Sequence, residues 1–481
     1  MDVKELTVQF DQNIKSALVV LNTTGLGILF VIDKHNILSG IITDGDIRRA
    51  LLAGKELTSD VKSVMNEDYT SLPIGTDNGL VLDAITNKVK IIPLVDADGK
   101  LVDYASINKI RRISVASPLL NGNELAYVTD CIKSSWISSQ GKYVREFEKI
   151  FKDYHGGMPS LAVSNGTVAL HLALDAFGIT KGDEVLVADL TFAASVNSIL
   201  YTGATPVLID IEPDTWNIDL NKAEEKITTN TKAVMPVHLY GHPCDMDAVC
   251  AFAKKHNLLI IEDCAEALGS FYGGKPVGVF GDVATYSFYG NKTITTGEGG
   301  MVVFKDPEIA ERAAMLRDHG MQKTRRYWHA EVGYNYRLTN IQAAIGVAQF
   351  EKLDEFLAAK RHIAQTYNQT LSKHPYFQTP VERENTVNSY WLYTFMVNES
   401  APFKRDELIE YLNKQGIETR PVFFPMHQMP PYVSFGKPED LKVSIKISEC
   451  GMSLPSSVSL TEMELAHICK EINNFANKYN D

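Results

Sequence analysis

The sequence predicts an α/β protein: a mainly parallel sheet covered by helices on both faces, with a small tandem module ahead of it and a smaller αβ region after it. Three observations carry this expectation. Short apolar runs alternate with helix-like intervals from Leu161 to Phe304, the pattern of strands buried on both faces. Lys292 stands between an aromatic-rich segment and a Thr/Gly run that leads into Met301, Val302, Val303 and Phe304. A short segment also repeats in the stretch before Ile110.

Composition bounds the reading. A chain of 481 residues, 45% apolar and 22% charged, is long enough for two or three globular domains. Its formal net charge of -12 disfavours a nucleic-acid partner, because backbone phosphates call for a basic surface. Local phosphate binding through backbone amides and helix ends stays open. No apolar run approaches the roughly 18 residues of a membrane span. The opening Met1-Asp2-Val3-Lys4-Glu5-Leu6 lacks the basic-then-apolar order of an export signal. Cysteines 131, 244, 250, 264, 450 and 469 show neither CxxC pairs nor zinc spacing, which fits unpaired thiols in a reducing cytoplasm. His238, His242 and His319 have no three-ligand spacing, so no metal site is expected.

In chain order, Val31-Ile32-Asp33 followed by Gly40 to Asp46 is echoed by Leu94-Val95-Asp96 followed by Asp103 to Ser106. Setting Asp33 on Asp96 places Thr43 on Ser106 and Asp46 on Lys109. Each copy reads as strand, turn, strand and helix start, too small to bury a core alone. Asp44 and Asp46 read as a helix cap ahead of Ile47 to Leu52, which needs no ligand. The pair resembles cystathionine-beta-synthase-type (CBS) modules, which commonly bind adenine nucleotides between their halves. That resemblance implies phosphate contact at Thr43 and ribose contact at Asp46. The second copy departs from it at Lys109, so at most one complete nucleotide site is implied, and a purely structural or assembly role stays open. Ser114 to Asn123, with Pro118 and Gly122, reads as a linker.

Beyond it, Leu125 to Ser134 reads as a helix and Trp136 to Gly141 as a loop. Leu161 to Val163 is a strand, and Ser164-Asn165-Gly166-Thr167 is a turn into the helix Val168 to Leu174. Such a turn offers amides to an anion or is an ordinary cap. Strands follow at 184–188, 206–209, 233–237 and 258–261, with a helix at 245–256. Ligands of such sheets gather outside the strands' C-terminal ends, where Asp263 falls, while Glu262 points the opposite way if strand alternation continues. Lys292 is expected on a loop between two strands, with Gly290, Gly297, Gly299 and Gly300 permitting close backbone approach to a ligand. An amine so restrained can form an imine with an aldehyde cofactor and return a proton; surface charge is the plain alternative. The pattern from Ile341 to about Leu371 indicates one long helix, then a strand at Tyr390 to Val397 and a helix at Arg405 to Leu412.

The stretch Ser287 to Gly300 resembles the lysine motif of the DegT/DnrJ/EryC1/StrS-type pyridoxal-phosphate sugar aminotransferases, and the likeness runs from about Trp136 to the C-terminus. It implies a fold-type I enzyme, with a tandem CBS-like regulatory or assembly domain at 1–116, a large cofactor domain at 117–360 and a small domain at 361–481. Lys292 matches the catalytic lysine. Gly166, Thr167 and Ser287 match phosphate contacts, Phe192 the ring that covers one face of the pyridine, and Asp263 the partner of the pyridine nitrogen. Glu266 falls beside cofactor and substrate. Asn335 matches an asparagine that reaches the neighbouring subunit's cofactor phosphate, implying a homodimer with shared sites. Ser138, Arg420 and His427 match positions near the sugar nucleotide. The implied reaction takes an amino group from glutamate to a nucleotide-linked 4-keto-6-deoxy sugar. The Ser-Phe-Tyr-Gly-Asn-Lys-Thr form is most similar to the branch acting on GDP-4-keto-6-deoxy-mannose, with UDP-linked 4-keto sugars as the alternative. Related dehydratases carry histidine at the lysine position, so Lys292 argues for amino transfer; an inactive nucleotide-responsive scaffold is the remaining competing reading.

Overall fold

The computed structural model describes residues 3–76, 78–86, 89–106, 113–322 and 324–479. The chain divides into two compact units, Met1–Arg112 with Lys414–Gly416, and Ile113–Asn413 with Ile417–Asp481.

In the first unit, β1 (Thr7–Gln9), the helix Ile14–Thr24, β2 (Ile28–Ile32), β3 (Leu38–Thr43) and the helix Asp44–Leu52 are followed by β4 (Leu72–Pro73), the helix Asn78–Ala84, β5 (Ile91–Val95) and β6 (Leu101–Ser106). β1 runs parallel to β2, which pairs antiparallel with β3; β4, β5 and β6 repeat that arrangement. The repeat holds to the register. Ile28 faces Thr43 as Ile91 faces Ser106, and the pairing slips between Val31 and Ile32 as it does between Leu94 and Val95. Asp33 accepts the amides of His35 and Ile37, and Asp96 those of Asp98 and Lys100. The two hairpins also bond reciprocally, Leu38 N–H to Gly99 O and Leu101 N–H to Asn36 O. Phe30, Leu38, Ile91 and Tyr104 share one apolar cluster, so the halves bury together what neither buries alone. Lys109 lies outside the described residues.

The second unit is built on β7 (Ser160–Val163), β8 (Glu184–Ala188), β9 (Thr205–Ile209), β10 (Thr231–Met235), β11 (Leu259–Asp263), β14 (Val283–Ser287) and β15 (Gly300–Phe304). Between β11 and β14 lie two short strands, β12 (Phe271–Tyr272) and β13 (Lys275–Pro276). The large sheet has the order β7-β15-β14-β11-β10-β8-β9, and β15 alone runs against its neighbours. Alternation along β14 and β15 feeds two cores: Val283, Val302 and Phe304 join the layer that includes the helix Gly166–Ala176, while Ala284, Tyr286, Met301 and Val303 join Phe147, Phe151 and Val347 on the other face. A smaller sheet, β16 (Phe377–Gln378), β18 (Tyr393–Val397), β20 (Gly451–Leu454) and β19 (Arg420–Pro421), pairs in that spatial order, and β17 (Thr386–Val387) completes a ribbon with β12.

Three expectations change in detail. The single long helix is two, Asn340–Phe350 and Leu353–Leu371; Lys352 between them has φ −107° and ψ 6°, outside helical values. The strand expected from Tyr390 begins at Tyr393, because Tyr390 adopts φ 49° and turns the backbone. The presumed linker is tied down at its start: Ile113 and Val115 are buried, Ile113 bridges Ile417, and Val115 O accepts the Ser456 amide. Its apolar residues, rather than its Pro and Gly, decide the conformation there.

Candidate active site

The C-terminal ends of β11 and β14 and the loop 288–299 open onto one cavity of about 650 Å³, lined by Gly166, Thr167, Phe192, Asp263, Glu266, Ser287, Lys292 and Arg420 among others. Sheet topology is the cause. β11 and β14 are parallel neighbours, Asp263 opposite Thr285, so residues far apart in sequence end side by side. β14 turns back into antiparallel β15 through the loop that carries Lys292, with Ser287 opposite Gly300.

Lys292 is nearly enclosed, its side chain 12% exposed, with Nζ 3.8 Å from Glu266 Oε1. Burial pushes its pKa below the usual lysine value against the pull of Glu266 and Asp263. Burial also raises Glu266 to about 7, with Lys292 and the Tyr240 amide opposing; that amide donates to Glu266 Oε2 at 2.8 Å. Asp263 is pushed up by burial too, offset by the Ser195 hydroxyl at 2.8 Å and the Ala265 amide at 3.1 Å. Thr191 Oγ1 lies 2.8 Å from Ser195 Oγ, extending the network. Glu262 turns to the other face as strand alternation requires. There it accepts the amides of Gly278, Phe280 and Gly281 and faces His238 Nε2 at 3.2 Å. Cys264 completes a buried group with His238 and Glu262; the Cys244 amide occupies His238 Nδ1, so the His–Glu pair is committed to holding the turns beneath the site.

On the opposite wall the helix Gly166–Ala176 begins at the cavity, capped by the Asn165 side chain on the Val168 amide. Its first amides have no intrahelical acceptor. A Cβ at Gly166 would lie 2.7 Å from Ser287 Cβ, so only glycine lets the helix start approach this strand end. Phe192 is 59% exposed, unusual for so large an apolar ring, and meets Phe423 at 5.9 Å between centroids.

Other expected residues lie elsewhere. His427 is buried with Nδ1 2.8 Å from Asp189 Oδ2 and its amide on Asp189 Oδ1, and it does not line the cavity. Its Nδ1 thus belongs to a clamp between the end of β8 and the 422–427 segment, while its Nε2 is buried without a hydrogen-bond partner. Ser138 is exposed on its loop, with its carbonyl taking the Asn340 amide. Asn335 is exposed and accepts from Arg337 Nη2 at 2.8 Å, away from this chain's own cavity. Thr43 and Asp46 form a closed capping box in the first unit, the Thr43 hydroxyl donating to Asp46 at 2.6 Å and Arg49 gripping the other carboxylate oxygen at 2.6 Å.

Sequence reasoning missed Ser195, Tyr240 and Trp391. Ser195 stands three residues after Phe192, one helix turn from the cavity mouth, a spacing that would have flagged it. Tyr240 and Trp391 carried no local signal.

The sequence profile of the DegT/DnrJ/EryC1/StrS aminotransferase family matches residues 118–473, and that of the CBS domain matches residues 1–53. The chain belongs to the DegT/DnrJ/EryC1/StrS aminotransferase family. It is 50% identical to GDP-perosamine synthase of Caulobacter vibrioides over 75% of this chain and 98% of that protein. The corresponding protein of Escherichia coli O157:H7 is 47% identical over 76% and 99%. A crystal structure of an aminotransferase from Psychrobacter cryohalolentis superposes with a TM-score of 0.73 at 30% identity, covering 76% of this chain and 99% of that one. As a family member the chain is a pyridoxal-phosphate-dependent enzyme. Its cavity fits that cofactor: a buried amine for the aldehyde, a buried carboxylate for a ring nitrogen, and a glycine-cradled helix start beside two hydroxyl residues for a phosphate. Among the described residues no helix is long and apolar enough to cross a membrane.

Proposed function

We propose that this aminotransferase moves an amino group from glutamate to a nucleotide-linked 4-keto-6-deoxy sugar, GDP-4-keto-6-deoxy-D-mannose, giving GDP-perosamine. The observation that carries the reading is the convergence of buried Lys292, Asp263 and Glu266 on one cavity. The substrate rests on the 50% identity to GDP-perosamine synthase along nearly all of that protein.

Bound there, pyridoxal phosphate supplies an aldehyde that exchanges amino groups and a ring that takes up the electron pair left when a substrate carbon loses its proton. Lys292 Nζ holds the aldehyde and, once free, moves the proton as acid and base. Its burial favours the neutral amine, the form that attacks the aldehyde and takes up the proton. Glu266 Oε1, raised to about 7, is the adjacent acceptor and donor for that proton near neutral pH. Asp263, backed by Ser195, presents a carboxylate to a protonated ring nitrogen, an opposite charge that offsets its burial. The amides of Gly166 and Thr167 with the hydroxyls of Thr167 and Ser287 take the phosphate. Phe192 covers the ring. Arg420, at the cavity and 3.5 Å from Glu418, meets the diphosphate.

We further propose a homodimer in which Asn335, exposed and outside its own chain's cavity, reaches the cavity of a second copy. For the CBS module we propose assembly or regulation, with an adenine nucleotide at Thr43 and Asp46 as the ligand to test. The family match at 1–53 and the repeated register support the module. Six thiols without disulfides support a reducing cytoplasm. The test is borohydride reduction with peptide mass mapping, expected to find the pyridoxyl adduct on Lys292, followed by product masses from a panel of GDP- and UDP-linked keto sugars with glutamate. An adduct elsewhere, or no aminated sugar from any member of the panel, rejects the reading.

A further inference from the structure

Lys292 rests on a surface of its own. Its Nζ lies 3.7 Å from the centroid of the Trp391 ring, and the same indole donates its Nε1–H to the carbonyl of Asn291 at 2.8 Å. One side chain therefore grips the loop twice, at the amine and at the peptide immediately before it. A lysine has a flexible four-carbon stem, so a loop alone leaves its amine free to sample many positions. The indole face covers one side of that amine and limits where the end of the stem can lie.

Trp391 is itself held at its backbone and at its ring. Its carbonyl accepts from buried Lys360 Nζ at 3.0 Å. Its ring stacks on Tyr240 at 6.0 Å and 9°, and Tyr240 in turn stacks on Phe423 at 5.4 Å and 21°. The backbone is bent on both sides of this stack: Tyr240 has φ 52° and Tyr390 has φ 49°, left-handed conformations that are strained for non-glycine residues. Around them Ser389 N–H bonds Ser270 Oγ, Tyr390 N–H bonds Asn388 Oδ1, and Tyr240 N–H bonds Glu266, so both turns are tied to the 266–270 segment. A tryptophan serving only to fill the core needs neither the strained turns nor the bond to the lysine loop.

We propose that Trp391 is a positioning residue for Lys292, its indole face setting where the amine lies and its N–H fixing the loop that carries it. The inference rests on Lys292 being the cofactor lysine. The test uses the full chain as wild type, Trp391→Phe and Trp391→Leu, each stripped of cofactor and reloaded with pyridoxal phosphate while the absorbance of the lysine adduct is followed. Attachment is expected to slow roughly tenfold in Trp391→Leu and by about threefold in Trp391→Phe, which keeps a ring but loses the N–H, because a misplaced amine meets the aldehyde less often in reactive geometry. In steady state kcat is expected to fall in the same order while KM for GDP-4-keto-6-deoxy-mannose stays within about twofold, because positioning acts on the amine and not on substrate affinity. Wild-type attachment rate and kcat in a natively folded Trp391→Leu overturn the proposal, as does equal loss in both variants, which would mark a packing role. Should the leucine variant not fold, a wild-type attachment rate in Trp391→Phe overturns it alone, and the expected slowing upholds it. Failure of the wild type to trap cofactor at position 292 would instead reject the functional reading above.

Discussion

In the CBS unit Thr43 and Asp46 close on each other and on Arg49, whereas in the catalytic unit Lys292, Asp263 and Glu266 border one shared cavity. Both groups pair a carboxylate with a helix start or strand end, and both resemble binding motifs in sequence. The difference lies in what the surrounding fold leaves for them to do. In a unit of short strands the hydroxyl and carboxylate at a helix start are needed by the helix's own amides. At the end of a buried parallel strand, Asp263 is backed by Ser195 and by the Ala265 amide. Each of its oxygens still has a lone pair for a ligand. A motif's chemistry thus depends on whether its polar atoms are already taken.

Four experiments break or sharpen that comparison, in descending order of effect. Lys292→Ala is expected to reduce amino transfer by at least about 10³-fold, because among the described residues no other lysine lines the cavity; product mass after incubation with glutamate measures it, and residual turnover near wild type would erase the contrast. Lys360 is the internal control, a second buried amine that donates to the carbonyls of Trp391 at 3.0 Å and Ser456 at 2.9 Å and does not border that cavity. Burial lowers it to about 7 from 10.5. A depressed pKa gives stability that is full above pH 10.5 and is lost as pH falls toward 7, an upper bound of about 5 kcal/mol across that window. Lys360→Met should flatten this slope in thermal midpoints taken between pH 7 and 10, and an unchanged slope would show that the two carbonyls keep the ammonium charged.

Asp263→Asn should keep the Ser195 bond but lower kcat by roughly 10²-fold, since a neutral amide does not favour a protonated ring nitrogen. A variant that loads cofactor and turns over normally would remove Asp263 from the chemistry. The smallest effect belongs to the other unit. Thr43→Ala should cost about 1 kcal/mol through loss of the cap, read as a lower midpoint of the first unfolding step, with amino transfer unchanged. If added adenine nucleotide raises the wild-type midpoint and not that of the variant, the capping pair also serves a ligand and the contrast narrows.

Much of this arrangement is legible from local sequence. The strand runs 184–188 and 206–209 match β8 and β9, the turn at Gly166 and Thr167 does begin a helix, and Lys292 does lie between paired strands. These follow from periodicity and from which residues tolerate tight turns. The alignment of Asp33 with Asp96 carries to the bulge in each hairpin, because one repeat imposes one register. Tyr240, Trp391 and the turning of His427 toward Asp189 were not legible in the same way. Each is a contact between segments distant in sequence, and the break at Tyr390 contradicts the β-favouring run Tyr-Trp-Leu-Tyr that surrounds it.

By itself the sequence determined which residue types are present to do chemistry: one loop lysine, one strand-end aspartate, and a glycine at a helix start. Only the tertiary structure decided which of them meet. The strand order β7-β15-β14-β11-β10-β8-β9 brings β11 and β14 together and carries Asp263 and Lys292 to one cavity, and the bends at Tyr240 and Tyr390 place Trp391 under the amine. Propensity and periodicity act over a few residues, whereas these encounters are settled by how whole strands and loops pack, so no local pattern encodes them.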